Sequence, residues 1–294
     1  MKHALRKSPI SENKCFEIYR LREPYFDPYW HFHPEFQIFT VLEGTGTRFI
    51  GDHVAPFKAG EVVFTGPNLP HLWRSDPEYF EGNTKMITDG IVIYFHESLI
   101  SEGFFQKDEA IQLRLLLQVS SRGVKLIGIE ATEIKDKMMV LLDAKGFERI
   151  LLLLEILNDL SKSKQHQLLS SAGYSNTLNP TGSERMSKVH AYVMKHFTDK
   201  ITLEEVAEVA NMTPAAFSRH FKRSANKTFS NFLSEIRIGY ACKLLIEKRL
   251  NSSQACFQSG FNTLSNFNRQ FKLITGMSPL KYKRMYVAQQ ADSF

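Results

Sequence analysis

The chain has 294 residues, 43% of them hydrophobic and 23% charged, which exceeds one typical domain and is globular rather than disordered composition. Its formal net charge of +6 is unevenly placed: Glu184 to the end carries 17 Lys+Arg against 8 Asp+Glu, and Met1 to Ser183 carries 20 against 23. That split argues against a single uniform domain, and the basic third points to a polyanionic partner. Cys15, Cys242 and Cys256 are odd in number and lack metal-site spacing, which disfavours a disulfide framework or zinc module. The start has no apolar core of a secretory signal, and the most apolar run, Ile150 to Leu157, is too short for a membrane span. A cytoplasmic protein with no membrane partner is expected.

From Phe16 to about Tyr94 the texture is that of strands. Short apolar runs, Phe36 to Leu42, Thr47 to Ile50, Glu61 to Phe64 and Gly90 to Phe95, alternate with Gly, Pro, Asn and Asp. Many short strands at close spacing predict a sandwich or small barrel. From Phe105 the period becomes helical. Ile111, Leu115 and Val119 make one stripe, Ile134, Met138, Leu141 and Leu142 a second, and Ile150, Leu153, Leu154 and Leu157 a third, with Gly146 between the last two.

His31-Phe32-His33 and His71 form a candidate cluster, because His-x-His on a strand sets both rings on one face. The segments His31 to Gly44 and Gly60 to His71 resemble the two motifs of a cupin barrel. Metal-binding cupins place a glutamate four residues after the second histidine. Here that position is Gln37, a neutral ligand, and Glu35 has the wrong parity to point inward. No metal or other cofactor is therefore expected. The cluster is read as a small-molecule effector pocket of Trp30, His31, His33, Gln37, His71 and Trp73.

Residues 161–184, rich in Ser, Asn, Thr and Gly, read as a flexible linker between a domain of residues 1–160 and one of residues 185–294. The second domain repeats itself. Phe217, Arg219, Phe221 and Lys222 recur fifty residues later as Phe267, Arg269, Phe271 and Lys272, and Thr213 recurs as Thr263. Each copy reads as two short helices and a tight turn. Thr202 with Glu205 predicts one capped start, and Thr213 with Pro214 another. Ala207 and Cys256 are small residues at the helix crossings, so Cys256 is read as packing rather than as a nucleophile. The phenylalanines four apart face the core. The opposite faces present Ala215, Ser218, Arg219 and Lys222, then Ser265, Asn266, Arg269 and Lys272, small, polar or cationic residues suited to bases and phosphates. Phe229 to Lys248 reads as one long connecting helix.

Arg219-x-Phe221-Lys222, Gly260-Phe261, Phe267-x-Arg269-x-Phe271-Lys272 and the cluster Thr275 to Tyr282 closely resemble the DNA-binding domain of AraC/XylS-family transcription regulators, over roughly Ser187 to Met285. The resemblance implies seven helices with two helix-turn-helix units. It places Ala215, Ser218, Arg219 and Lys222, with Leu264, Ser265, Asn266 and Arg269, at groove-facing positions, and Arg237 at a connector arginine expected to form a structural ion pair. Asn226 stands where the second copy has Gly276, and asparagine tolerates the left-handed turn. The resemblance also implies a homodimer, for which the apolar helices of the N-terminal domain are candidates beside simple packing on the barrel.

The whole is expected to be a two-domain α+β protein: a cupin-like β-barrel with trailing helices, followed by an all-α domain. The expected function is sequence-specific regulation at double-stranded promoter DNA in response to an effector. A metal-dependent cupin enzyme with a DNA-binding appendage and an architectural DNA-binding protein are the alternatives.

Overall fold

A computed structural model describes residues 8–82, 86–101, 103–172, 174, 180–246 and 249–291. The chain divides into two compact units, with the main break between Glu184 and Arg185.

The first unit contains β1 (Phe16–Glu23), β2 (Phe36–Glu43), β3 (Gly46–Ile50), β4 (His53–Phe57), β5 (Val62–Thr65), β6 (His71–Ser75), β7 (Thr88–Phe95), β8 (Val124–Leu126) and β9 (His166–Leu168). They form one sheet of order β1-β7-β2-β5-β8-β9 and a smaller one of order β4-β3-β6. Every described pairing is antiparallel. The central strands are apolar on both faces, so they read as continuous runs rather than alternating ones. Phe36, Ile38, Val62, Phe64, Ile91 and Ile93 pack under α1 (Ile111–Val119), α2 (Ile129–Asp143) and α3 (Glu148–Lys162) through Leu116, Ile134, Met138, Leu153 and Leu157. Phe39, Val41, Val63 and Val92, on the opposite face by the period-2 pleat, meet Ile50, Phe57 and Trp73 of the smaller sheet. Gly146, at φ +58°, turns the chain between α2 and α3.

Half of the expected linker is built into this unit instead. α3 continues to Lys162, and β9 pairs with β8 at the edge of the larger sheet. Leu169 and Ser170 are buried; the Ser170 hydroxyl donates to the Ile50 carbonyl at 2.9 Å, and the Ser171 hydroxyl donates to Asp52 Oδ2 at 2.5 Å. Serines that suggest a solvated tether thus satisfy backbone and carboxylate groups at the end of β3. Residues 173 and 175–179 lie outside the described ones.

Seven described helices follow: α4 (Pro180–His196), most of which lies beyond the break, and then α5 (Leu203–Val209), α6 (Pro214–Ala225), α7 (Phe229–Ile246), α8 (Ser252–Gln258), α9 (Leu264–Thr275) and α10 (Pro279–Ala291) of the second unit. α4 starts before the expected boundary at 185. Lys248, expected to end the connector, lies outside the described residues. Thr202 and Glu205 form a reciprocal capping box on α5, and Asn251 with Gln254 forms one on α8. Thr213 caps α6 with Pro214 behind it, and Thr263 caps α9. Asn226 ends α6 at φ +53° and Gly276 ends α9 at φ +78°, so the substitution of asparagine keeps the left-handed cap.

The repeat is more exact for one helix than for the other. The second helices are offset by fifty residues, Thr213 to Thr263. The turn bonds are offset by one fewer: Met212 N–H to Ala207 O at 2.8 Å matches Phe261 N–H to Cys256 O at 3.1 Å. Asn262 is the extra residue in the second turn. Gly260, at φ +87°, has no room for a Cβ, which would stand 2.7 Å from the Phe197 carbonyl.

Candidate functional site

On α6 and α9 the buried and exposed positions separate cleanly. Phe217, Phe221, Phe267 and Phe271 are fully buried. Ala215, Ser218, Arg219 and Lys222 are exposed on α6, and Leu264, Ser265, Asn266, Arg269 and Lys272 on α9. The structure therefore brings each set together on one solvent-facing helix surface. Asn266 Oδ1 accepts from Arg269 Nη2 at 2.9 Å, which holds that guanidinium extended along the helix. Each helix carries cations in its final turn, Lys222 and Arg223 on α6 and Lys272 on α9.

α7 supports both helices from below. Phe229 and Phe232 pack edge-on against Phe221, while Ile238, Ala241 and Leu245 join Phe267 and Phe271 in the second core. Arg237 corrects one expectation, since it makes no ion pair among the described residues. Its guanidinium donates to the carbonyls of Phe197 and Asp199, both at 2.7 Å, beyond the end of α4 where unpaired carbonyls collect. Burial lowers its pKa and the Asp199 charge opposes that shift. Cys256 is fully buried beside Phe261, and burial raises its thiol pKa; Cys242 is pushed up to about 12 by the same cause. Neither is a nucleophile poised to react.

In the first unit a cavity of about 60 Å³ opens between the sheets, lined by His31, Gln37, His71 and Trp73 together with Phe39, Asp27 and Tyr94. Four of the six expected pocket residues thus share one wall. Trp30 and His33 do not line it: Trp30 is buried at 3% exposure, and His33, also buried, has its Nε2 3.1 Å from the Gln37 amide. His31 to His33 is not a strand segment either. β2 starts at Phe36, and His31 is fixed by an isolated antiparallel bridge to His71, with N–H···O distances of 3.2 and 2.9 Å. Tyr94 and Phe39 follow from the pleat, since they stand on the face of β7 and β2 that carries Gln37. Asp27 comes from a loop with no pattern to announce it.

The imidazoles are oriented from behind. His31 Nδ1 lies 2.8 Å from the Tyr29 carbonyl and His71 Nδ1 lies 2.7 Å from the Leu69 carbonyl. A carbonyl only accepts, so in the neutral rings Nδ1 carries the proton and Nε2 the lone pair. His33 Nδ1 faces Glu35 Oε2 at 3.1 Å. Glu35, fully buried, is therefore an orienting carboxylate and does not line the cavity. Burial alone would raise its pKa; hydrogen bonds from His33 and Ser8 and its own backbone outweigh this and hold it below the usual range.

His33 Nε2 and His71 Nε2 converge on the Gln37 amide at 3.1 and 3.2 Å. With both rings neutral and Nε2 unprotonated, the contacts are satisfied when the amide NH₂ faces these lone pairs; a protonated ring would donate to the amide oxygen instead. With a metal cation, His31, His33 and His71, whose ligand atoms lie within 4.8 Å of one another, would supply three nitrogens and Gln37 a carbonyl oxygen. The residues fit a divalent ion, with a ligand set that is itself uncharged.

Residues 206–285 match the family described as "Helix-turn-helix domain", and residues 23–78 match the "Cupin domain". The uncharacterised HTH-type transcriptional regulator YdeC of Bacillus subtilis is 34% identical over 103 residues, 35% of this chain and 35% of its own length. YobQ of the same organism, also an uncharacterised HTH-type regulator, is 31% identical over 93 residues, 32% of this chain and 39% of its own. The chain thus matches little more than a third of the length of these relatives. Among solved structures, ToxT from Vibrio cholerae aligns over 93% of this chain and 99% of its own at 14% identity and a TM-score of 0.36, a likeness that by itself decides nothing. Among the described residues no helix is long and apolar enough to cross a membrane. The chain joins a segment that matches the cupin domain to one that matches the helix-turn-helix domain.

Proposed function

We propose that the chain is a transcription regulator that binds promoter DNA in the cytoplasm through α6 and α9 and responds to a small-molecule effector held in the cupin domain. One observation carries this reading: two capped helices in matching turns expose Ser218, Arg219 and Lys222 or Ser265, Asn266, Arg269 and Lys272, each opposite a buried phenylalanine pair. Small and polar side chains reach base edges, and cations reach phosphates. Arg219→Ala and Arg269→Ala are each expected to weaken specific binding by about 1–3 kcal/mol, the worth of a bidentate base contact. If both variants bind promoter DNA like the parent over a salt titration, these helices do not read DNA.

The cavity supports an effector with hydrogen-bonding groups for imidazole and amide. It is far smaller than the roughly 300–1,000 Å³ that encloses a drug-sized ligand. The effector is therefore small, or only its polar head enters. Its binding shifts the population between a DNA-competent arrangement and another. The reading includes pairing of two copies through the N-terminal helices. One side of these helices packs on the sheet, while Leu115, Val140 and Leu151 stay half-exposed on them.

A metal-dependent enzyme is the second reading, supported by the Nδ1-anchored imidazoles around Gln37. An ion there would polarise an oxygen of a bound ligand. Elemental analysis of protein purified without added metal separates the two. Stoichiometric iron, manganese or zinc that is lost on His33→Ala supports the second reading, and metal well below one equivalent contradicts it.

A further inference from the structure

Beside the reading face of α6 lies a cavity of about 310 Å³, walled by Arg185 of α4 and by Arg219, His220 and Arg223 of α6, with Met212 and Ala216 as its apolar floor. Ala216, Arg219, His220 and Arg223 follow one another at helical spacing, so they form one side of α6. None of the three guanidiniums has an ion pair or hydrogen bond among the described residues. Three unpaired cations around one cavity repel each other, and a shared anion relieves that repulsion. Guanidinium presents a planar fork of donors that matches the oxygens of phosphate better than a point charge does.

We infer that this cavity is a phosphate-binding site, formed jointly by Arg185, Arg223 and His220 and distinct from the base-reading positions of α6. The phosphate comes either from the backbone of a bound duplex or from a free phosphorylated molecule that competes with it. Arg219 stands at the border and serves both surfaces, whereas Arg185 and Arg223 face the phosphate alone. On the DNA arm the inference rests on the regulator reading above. On the free-phosphate arm it stands without it.

The test uses the full chain with Arg185→Gln, Arg223→Gln and both together, each checked for an unchanged melting temperature. Binding is measured to a promoter duplex and to an unrelated duplex between 50 and 200 mM salt, and separately to inorganic phosphate and pyrophosphate without DNA. If a backbone phosphate fills the cavity, the double variant loses affinity for both duplexes by the same factor, roughly tenfold. Its slope of log affinity against log salt flattens by about 0.9, the value for one phosphate. If a free phosphate fills it, pyrophosphate binds the parent and displaces DNA, and the double variant does neither. A loss confined to the promoter duplex at unchanged salt slope would assign these arginines to base reading and overturn the inference. Unchanged salt slope and phosphate binding in all variants would overturn it as well. If the parent binds no duplex at all, the regulator reading fails while the phosphate titration still decides the cavity.

Discussion

Glu61→Ala is expected to destabilise the N-terminal unit by about 3–5 kcal/mol, the cost of leaving a buried cation without its partner. Glu61 is 5% exposed and accepts from Arg48, itself 1% exposed, and from Lys125 Nζ at 2.6 Å. Its loss strands the Arg48 guanidinium in the barrel wall. The double substitution Arg48→Met with Glu61→Leu removes both buried charges and is expected to recover most of the loss. The only two tryptophans, Trp30 and Trp73, both belong to this unit, so urea unfolding followed by fluorescence isolates it from the DNA-binding unit. A change below about 1 kcal/mol for Glu61→Ala would show that water reaches the pair and screens it.

Acid is expected to weaken the DNA-binding unit through His190. The ring is 2% exposed, stands edge-on to Phe232 at 4.9 Å, and burial pushes its pKa down to about 3. The unfolded chain takes that proton near 6.5. Between these values the unfolded state binds more protons, so stability falls as pH falls, by about 1.4 kcal/mol per pH unit from this group. Above pH 6.5 the group contributes no pH dependence. Unfolding followed by helical circular dichroism at pH 7.5, 6 and 5, on the parent and on His190→Leu, measures the effect. The expected result is a parent that loses stability below pH 6.5 faster than the variant. Parallel curves would mean that the imidazole charges in the folded state.

Much of the C-terminal unit was legible because its signals are local. Thr202, Thr213 and Thr263 cap helices by bonds to residues three positions on, and the phenylalanine spacing of four names the buried face directly. Asn262 is hidden in the repeat because the second helices are offset by fifty residues while the turn bonds are offset by one fewer. The partners of Arg237 are not legible, because a sequence displays carboxylates and does not display carbonyls freed at a helix end.

The N-terminal unit was less legible. Strands such as Phe36–Glu43 announce themselves by apolar runs buried on both faces, whereas β8 and β9 have three residues each and exist only through pairing with chain far away in sequence. The pocket's histidines were visible as types. The parity of Glu35 sets it apart from Gln37, as the structure has it, but its turn toward His33 depends on the bend before β2. Asp27 and the buried face of Ser170 are likewise products of tertiary packing.

Hydroxyl-radical footprinting of the full chain on genomic fragments that it retains tests the central claim most directly. Two reading helices held by one connector are expected to protect two segments on one face of the duplex, about 10 base pairs apart. Arg219→Ala is expected to erase one segment and Arg269→Ala the other. A single protected segment, or uniform protection that neither variant changes, would contradict the assignment of α6 and α9 as the two readers.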